Sequence, residues 1–434
     1  VYNLPGRGGT ALVDSWLKSM GYRADRMTLK SGLLLVSLSV WVVAPQVRGQ
    51  VPLNAADSAK VEHFLDSGQS HPPLNCSIEP RKPFLDFAFR FDVGYILRCP
   101  LRAFGGREST VLDFVRVTPQ VGKPLILGES HRVPGIPPEQ AAAPNARKLK
   151  GEVEVSGGFA VGEGWYQVEV LLMDPETGRT SRKRWSVRVA RSHSEQAVVV
   201  GVPRGTATPM AFRPWQGKLD TSGKGLRLTI LLDAAPIYPY AQKLRAWDRA
   251  ALLGSLSTLL GQIPCASVRL IAFNLDQQRE VFRQDDFADA GFMKLAEALR
   301  TLELGTVSYR VLQQRQGWLD MLVNFANREV TAANPSDAVI ILGPHVRYYA
   351  GVPREMLKVR ETPNPHFCYF EYLPGVGQLP DTLQILTKRL DGTVYEIHSA
   401  GDFARAIQNL LARVQPSGGA TVDSRWPPRP APPQ

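Results

Sequence analysis

Two kinds of hydrophobic pattern alternate along the chain, and the switch between them divides it. From Phe84 the stretch FLDFAFRFDVGYIL alternates with period two, which predicts a strand with Phe87, Phe89, Phe91, Val93 and Tyr95 on one face. Arg90 and Asp92 fall opposite, and Gly94 marks a bend. Residues 111–119 and 122–130 read as further short strands, followed by a Pro/Ala-rich loop over 132–148. In GWYQVEVLLMD, Tyr166, Val168, Val170 and Leu172 share a face. PETG then turns the chain, and RKRWSVRVAR returns with Trp185, Val187 and Val189 alternating. Gly178 supplies the positive φ that such a turn needs. Short strands, turn signals and no helical period over 84–190 predict an antiparallel, immunoglobulin-like β-sandwich. Phe159, Trp165 and Trp185 read as packing residues within it.

After a mixed connector (191–225) the pattern changes. LRLTILLD is a nearly continuous apolar run, as for a strand buried on both faces of a parallel sheet. Helix-length segments at 241–260, 291–302 and 316–327 are interleaved with SVRLIAFN, the polar strand QREVFRQ and DAVIILG. FCYFEY and TVYEIH follow as strands, and DFARAIQNLLARV closes as a helix with Phe403, Ile407, Leu410 and Leu411 on one side. This alternation predicts a doubly wound α/β domain over 226–414. Residues 50–83 read as a linker, and the Pro-rich tail 415–434 lacks a core-forming pattern.

With 434 residues, the chain is long enough for two or three domains. Hydrophobic residues at 44% and charged residues at 21% are a globular composition. The formal charge of +11 is spread along the chain, without a basic helix or a basic stripe interleaved with aromatics. It therefore predicts a solvated surface compatible with an anionic cell envelope, and no nucleic-acid partner. Residues 27–49 have the layout of a secretory signal. Lys30 precedes an apolar run from Leu33 to Ala44, which is shorter than the roughly 20 residues of a membrane span. Pro45 and Val47-Arg48-Gly49 follow, so cleavage is expected near Gly49 and the mature chain is expected to be secreted or periplasmic, the rival being an uncleaved N-terminal anchor. Residues 1–26 read as a misassigned extension ahead of a true start at Met27. Of the four cysteines, Cys76 and Cys99 are spaced for a disulfide in an oxidising compartment, two unpaired thiols being the alternative.

The segments LTILLD, SVRLIAFN, DAVIILG and PDTLQILTKRLDGTVYEI, in that order before a terminal helix, resemble the von Willebrand factor A domain over 226–414. With the signal, the upstream sandwich and the VGEGWYQVEVLLMDPETGR hairpin, the chain is similar to the VWFA-related proteins that some bacteria secrete. The resemblance implies a cation site at the carboxyl edge of the sheet, built from DxSxS, a Thr and a strand-end Asp. Here the first motif reads Asp233-Ala234-Ala235-Pro236-Ile237, so Ala235 and Ile237 stand where hydroxyls would be. Thr306 matches the Thr position, and the last strand ends in Leu342-Gly343-Pro344-His345 without an acid. Two oxygen side chains fall short of the six or more that Mg²⁺ or Ca²⁺ require, so no metal or cofactor is expected.

No G-x-S-x-G elbow, HExxH, Walker loop or G-x-G-x-x-G after a strand is present, and the seven histidines are scattered. The expectation is a non-catalytic binding or assembly module. It would hold an unidentified protein partner, independently of metal, at the edge formed by Asp233, Ala235, Ile237, Thr306 and His345. The alternative is a metal-dependent adhesion or hydrolytic protein with an atypical site at Asp233, Thr306 and His345. For the start site, mass spectrometry of the precursor should find no peptide from residues 1–26, and finding one would refute Met27 as the start.

Overall fold

The computed structural model describes residues 50–434 except 68–70, 136–150, 211–213, 217–218, 221, 223, 238–242, 305–308, 315, 359–364, 373–378 and 415–434. The expected extension (1–26), signal (27–49) and tail (415–434) lie outside the described residues. The chain forms two compact units. One takes Val1–Phe84, Phe91–Ala190 and Val202–Ala211, the other Leu85–Arg90, Arg191–Gly201 and Phe212–Gln434.

The first unit contains β1 (Val51–Pro52), α1 (Ala55–Asp66), β2 (Ser77–Pro80), the Phe84 end of β3 (Phe84–Leu85), β4 (Phe91–Pro100), β5 (Ser109–Pro119) and β6 (Leu125–Val133). It continues with β7 (Glu152–Val161), β8 (Gly164–Met173), β9 (Thr180–Val189) and β10 (Ala207–Pro209). They form two sheets, β1-β6-β5-β8-β9 and β10-β7-β4-β2, the second with β3 beside β4. The β8–β9 hairpin pairs Val168 with Trp185 and Val170 with Lys183. Its turn is closed by the Asp174 carboxylate, which accepts from Glu176 N at 3.0 Å and Thr177 Oγ1 at 2.6 Å, while Gly178 takes φ 67°. Tyr95 O–H donates to Asp113 Oδ2 at 2.8 Å, Gln50 Nε2 donates to the same oxygen at 2.9 Å, and Gly158 N donates to Gln50 Oε1 at 3.1 Å. These bonds tie residue 50 into both sheets and satisfy polar groups that would otherwise be buried alone.

Residues 50–83 are not a linker. Asn54 caps α1 by accepting from Asp57 N at 2.9 Å, and Val61 and Leu65, four residues apart, pack against Leu112, Phe114, Ile126, Leu171 and Met173. Because α1 covers that face, β5 and β8 are buried on both sides, as VLDFV and VLLM reflect. The 191–225 connector is likewise divided, since Ala207–Pro209 pairs with β7 and Arg191–Gly201 belongs to the second unit. The strand expected to start at Phe84 also needs correction. Asp86 N donates to Arg90 O and Arg90 N to Asp86 Oδ1, both at 2.8 Å, and Phe89 takes φ 54°. This turn breaks the alternation before Phe91. Phe87 and Phe89 leave the face of Val93 for the second unit, where Phe87 stacks on Tyr372 at 4.9 Å and Phe89 meets Phe403 edge-on at 5.9 Å.

The second unit contains β11 (Leu226–Asp233), α2 (Ala246–Gln262), β12 (Cys265–Asn274), β13 (Arg279–Gln284), α3 (Asp289–Arg300), α4 (Gly317–Val330) and β14 (Ala338–Pro344). β15 (His366–Tyr372), α5 (Thr382–Arg389), β16 (Thr393–Ile397) and α6 (Ala400–Arg413) complete it. One six-stranded sheet runs β13-β12-β11-β14-β15-β16, parallel except at the β12–β13 pair. Leu231, Ile271, Phe273, Val339, Ile341, Phe367 and Tyr369 form one core face with α4 and α5. On the other face Tyr372 O–H bonds Ser255 of α2 at 2.5 Å, and Phe370 lies 5.8 Å from Phe403 of α6. The molecule is thus a multi-sheet, multidomain protein with a β-sandwich unit and an α/β unit.

Cys76 and Cys99 form a disulfide across a separation of 23 residues, whereas Cys265 and Cys368 are buried thiols. Closing a loop of that length removes about 3 kcal/mol of unfolded-state entropy. The Cys76→Ala/Cys99→Ala double variant should therefore lose about 3 kcal/mol of unfolding free energy in denaturant titration. An unchanged midpoint would show that the crosslink does not constrain the unfolded chain.

Candidate functional site

The carboxyl end of the six-stranded sheet gathers its buried acids. In the parallel register Leu232 faces Leu342 and Gly343 faces Glu371, so Asp233, Gly343 and Glu371 form one row on the α4–α5 face. Gly343 is required in that row, because a Cβ there would come within 2.7 Å of Asp233 Cβ. Two carboxylates therefore project from one sheet face with only backbone between them.

His345, one residue beyond β14, is not the solvent-facing strand-end residue that its position suggests. Its side chain is 8% exposed, with Nδ1 2.5 Å from Glu371 Oε1 and 3.5 Å from Asp381 Oδ2. Asp381 is the N-cap of α5 and accepts from Gln384 N at 2.8 Å through Oδ1. Its Oδ2 accepts from Val346 N at 2.9 Å and Tyr369 O–H at 3.4 Å. Gln384 also donates its side-chain amide to Glu371 Oε2 at 2.7 Å. One ligand atom from each of His345, Glu371 and Asp381 lies within 4.8 Å of the other two. The expectation that this edge is poor in oxygen donors is therefore corrected. The acids come from β15 and the cap of α5 instead of the loops that the family motif uses.

The other expected positions fall as follows. Asp233 ends β11, fully buried, and neither of its carboxylate oxygens has a hydrogen-bond partner among the described residues. Ala235 and Ile237 are half-buried, and the Ile237 backbone N–H donates at 3.1 Å to Asp248 Oδ1, so a helix acid organises this loop. Thr306 lies outside the described residues. The structure thus brings Asp233 and His345 to one edge and adds Glu371 and Asp381, which the pattern reading passed over. Both left a trace in the sequence. Glu371 is a lone charge in the apolar run FCYFEY, and Asp381 opens D-T-L-Q, the spacing of a helix cap.

The electrostatics follow from burial. Desolvation lifts the Asp233 carboxyl well above its ordinary range, and the negative potentials of Asp276 and Asp381 add to the shift. Glu371 and Asp381 are raised in the same direction, chiefly by burial, with opposing pulls from His345 and from donated hydrogen bonds. Apart from its contacts with the two acids, His345 is tilted against the Tyr349 ring at 5.9 Å, and no hydroxyl or thiol bonds its ring among the described residues. The site thus has an imidazole oriented by two carboxylates.

No family model matches the chain, and no curated protein matches it. Among solved structures it is similar, at 10% identity and a TM-score of 0.19, to a Bordetella pertussis protein given the name ApaA, over 28% of this chain and 100% of that one. It is also similar to a β-glucuronidase of Bacteroides uniformis (9% identity, TM-score 0.19, 73% of this chain and 38% of that one). A glycosyl hydrolase family 2 member of Bacteroides cellulosilyticus gives 12% identity, a TM-score of 0.18 and coverage of 78% and 38%. The chain thus spans under two-fifths of the length of these two enzymes. Likeness at this level carries no argument about fold or activity.

A raised carboxyl pKa has a definite sign in stability. The neutral Asp233 carboxyl favours the folded state fully below its unfolded pKa of about 4, and that contribution is lost as pH rises through the raised folded value. In metal-free protein Asp233→Asn should therefore stabilise by at least about 1 kcal/mol more at pH 7 than at pH 4. Equal effects at both pH values in denaturant titration would show that Asp233 is not held neutral by burial.

Proposed function

We propose that the chain is an exported, non-catalytic recognition protein whose α/β unit is von Willebrand factor A-like and binds a protein partner at the carboxyl edge of its sheet. Support for the domain reading comes from the strand order, in which β11 lies between β12 and β14 and the antiparallel β13 forms an edge. Asp233 at the end of β11 also stands where the resembling motif begins. The disulfide in the sandwich unit supports export, because such bonds persist in oxidising compartments.

The observation that carries the recognition reading is the loop surface at that edge. Tyr349 is 48% exposed and Leu379 is 70% exposed, on loops flanking the acidic row. The loop of Tyr349 is tied to the start of α5 by Thr382, whose N–H donates to Tyr348 O at 2.7 Å and whose hydroxyl bonds Tyr348 O at 2.9 Å and Ala350 O at 3.1 Å. Open α/β sheets place ligands outside the carboxyl ends of their strands, and an exposed aromatic side chain on a tied loop gives a partner area at low entropic cost. Positions 235 and 237, where the resembling motif has its metal-binding hydroxyls, offer no side-chain oxygen, so the recognition read here does not use that motif's Mg²⁺ or Ca²⁺ site.

Photo-crosslinking residues placed at 349 and at 379 should capture the same protein from envelope extract, and one at Met293, exposed on α3, should not. Tyr349→Ala should weaken capture about tenfold, the effect of losing a modest hot spot, and adding Mg²⁺ or Ca²⁺ should not change the yield. Equal capture from position 293, or dependence on added Mg²⁺, would overturn the reading.

A further inference from the structure

We propose that His345, Glu371 and Asp381 form a binding site for a divalent ion of the Zn²⁺ type, its two carboxylates standing outside the positions that the sequence resemblance points to. The inference is independent of whether the sheet edge holds a protein partner.

The three donors come from separate elements of one unit. His345 follows β14, Glu371 is in β15 and Asp381 caps α5, so the fold converges them and no local acidic run is involved. Each carboxylate is oriented by hydrogen bonds from behind. Gln384 holds Glu371 Oε2 and leaves Oε1 toward the imidazole, and its backbone N–H holds Asp381 Oδ1, while Asp381 Oδ2 lies on the imidazole side and also accepts from Val346 N and Tyr369 O–H. Outer hydrogen bonds of this kind fix ligand orientation at metal centres. Donors bound to Zn²⁺ at about 2.0–2.1 Å lie roughly 3.4 Å apart in a tetrahedron, which matches the 3.5 Å between His345 Nδ1 and Asp381 Oδ2. The His345 Nδ1–Glu371 Oε1 contact is shorter, and an ion held between them opens that pair by just under an ångström.

A second observation points to a cation. Asp233 is fully buried beside this cluster, in the same sheet row as Glu371, with both oxygens lacking a hydrogen-bond partner among the described residues. Its carboxylate interacts electrostatically with Asp381, and His345 Nε2 is also buried without a partner. Glu371 and Asp381 on one side of a single imidazole offer charge that a divalent ion balances. One nitrogen and two carboxylates suit Zn²⁺ or a neighbouring transition ion, whereas Mg²⁺ calls for octahedral oxygen.

The test uses the full mature chain stripped with chelator and titrated with Zn²⁺ by calorimetry, followed by X-ray absorption of the loaded wild type. The expected result is one ion per chain, with one nitrogen and two or three oxygens at about 2.0–2.2 Å and no sulfur. His345→Gln and Asp381→Asn should each weaken binding at least tenfold, whereas His193→Gln should leave it unchanged. The wild-type spectrum keeps the test decisive if a variant fails to fold. Absence of a stoichiometric ion, sulfur at about 2.3 Å from Cys265 or Cys368, or binding indifferent to His345→Gln in folded protein would each overturn the proposal. Failure of the crosslinking experiment would leave the titration unaffected, so the two readings fail separately.

Discussion

Placing several carboxylates at the end of a buried sheet is the constraint around which the α/β unit is organised. Each acid removed from water needs a proton, a hydrogen-bond donor or a cation, since an isolated buried charge is costly. The unit meets this need unevenly. Glu371 has the imidazole and an amide, Asp381 has two backbone N–H groups and a phenol, and Asp233 has none among the described residues. The same need explains several features that otherwise look unrelated. Gly343 is small because two acids flank it, and α5 starts where it does because Asp381 is both its cap and a member of the cluster.

The elements of the α/β unit were legible because their periods are strong. LRLTILLD, DAVIILG and FCYFEY are too apolar to lie anywhere except inside a covered sheet, and the amphipathic pattern at Phe403, Ile407 and Leu410 matches the buried face of α6. Strand β9 of the sandwich hairpin was legible for the opposite reason, since its alternation leaves one solvated face. Legibility failed where a single residue reversed a pattern. Phe89 continues the alternation of its neighbours in the sequence yet sits in the left-handed region, and only the Asp86–Arg90 bonds explain the break. Helix α1 was missed because its anchoring rests on Val61 and Leu65 in a stretch otherwise polar, too few positions to establish a period.

The site was half legible for a related reason. Reading it through the family motif directed attention to the loop after β11 and to Thr306, where Ala235 and Ile237 gave a negative answer. The residues that face one another are instead set by sheet register and by a helix cap, which are long-range properties. Glu371 shows the difference. Within FCYFEY it breaks an apolar run, and the strand pairing that brings it beside Gly343 cannot be read from its neighbours. An isolated charge in a strand buried on both faces was the better lead than a motif with missing members.

Sequence boundaries also depart from the units, because the chain exchanges segments between them. Leu85–Arg90 and Arg191–Gly201 each leave the sandwich sequence to join the α/β unit, and Val202–Ala211 returns. A cut at residue 190 would therefore strip Phe87 and Phe89 from the face of Tyr372 and Phe403, and would remove β10 from β7. Large aromatics exposed in this way lose most of the roughly 1.5–3 kcal/mol that burial of each provides. Neither unit is a contiguous stretch of chain, so its stability depends on residues that sequence order assigns to the other. The α/β unit that carries the acidic edge is therefore complete only with Leu85–Arg90 attached.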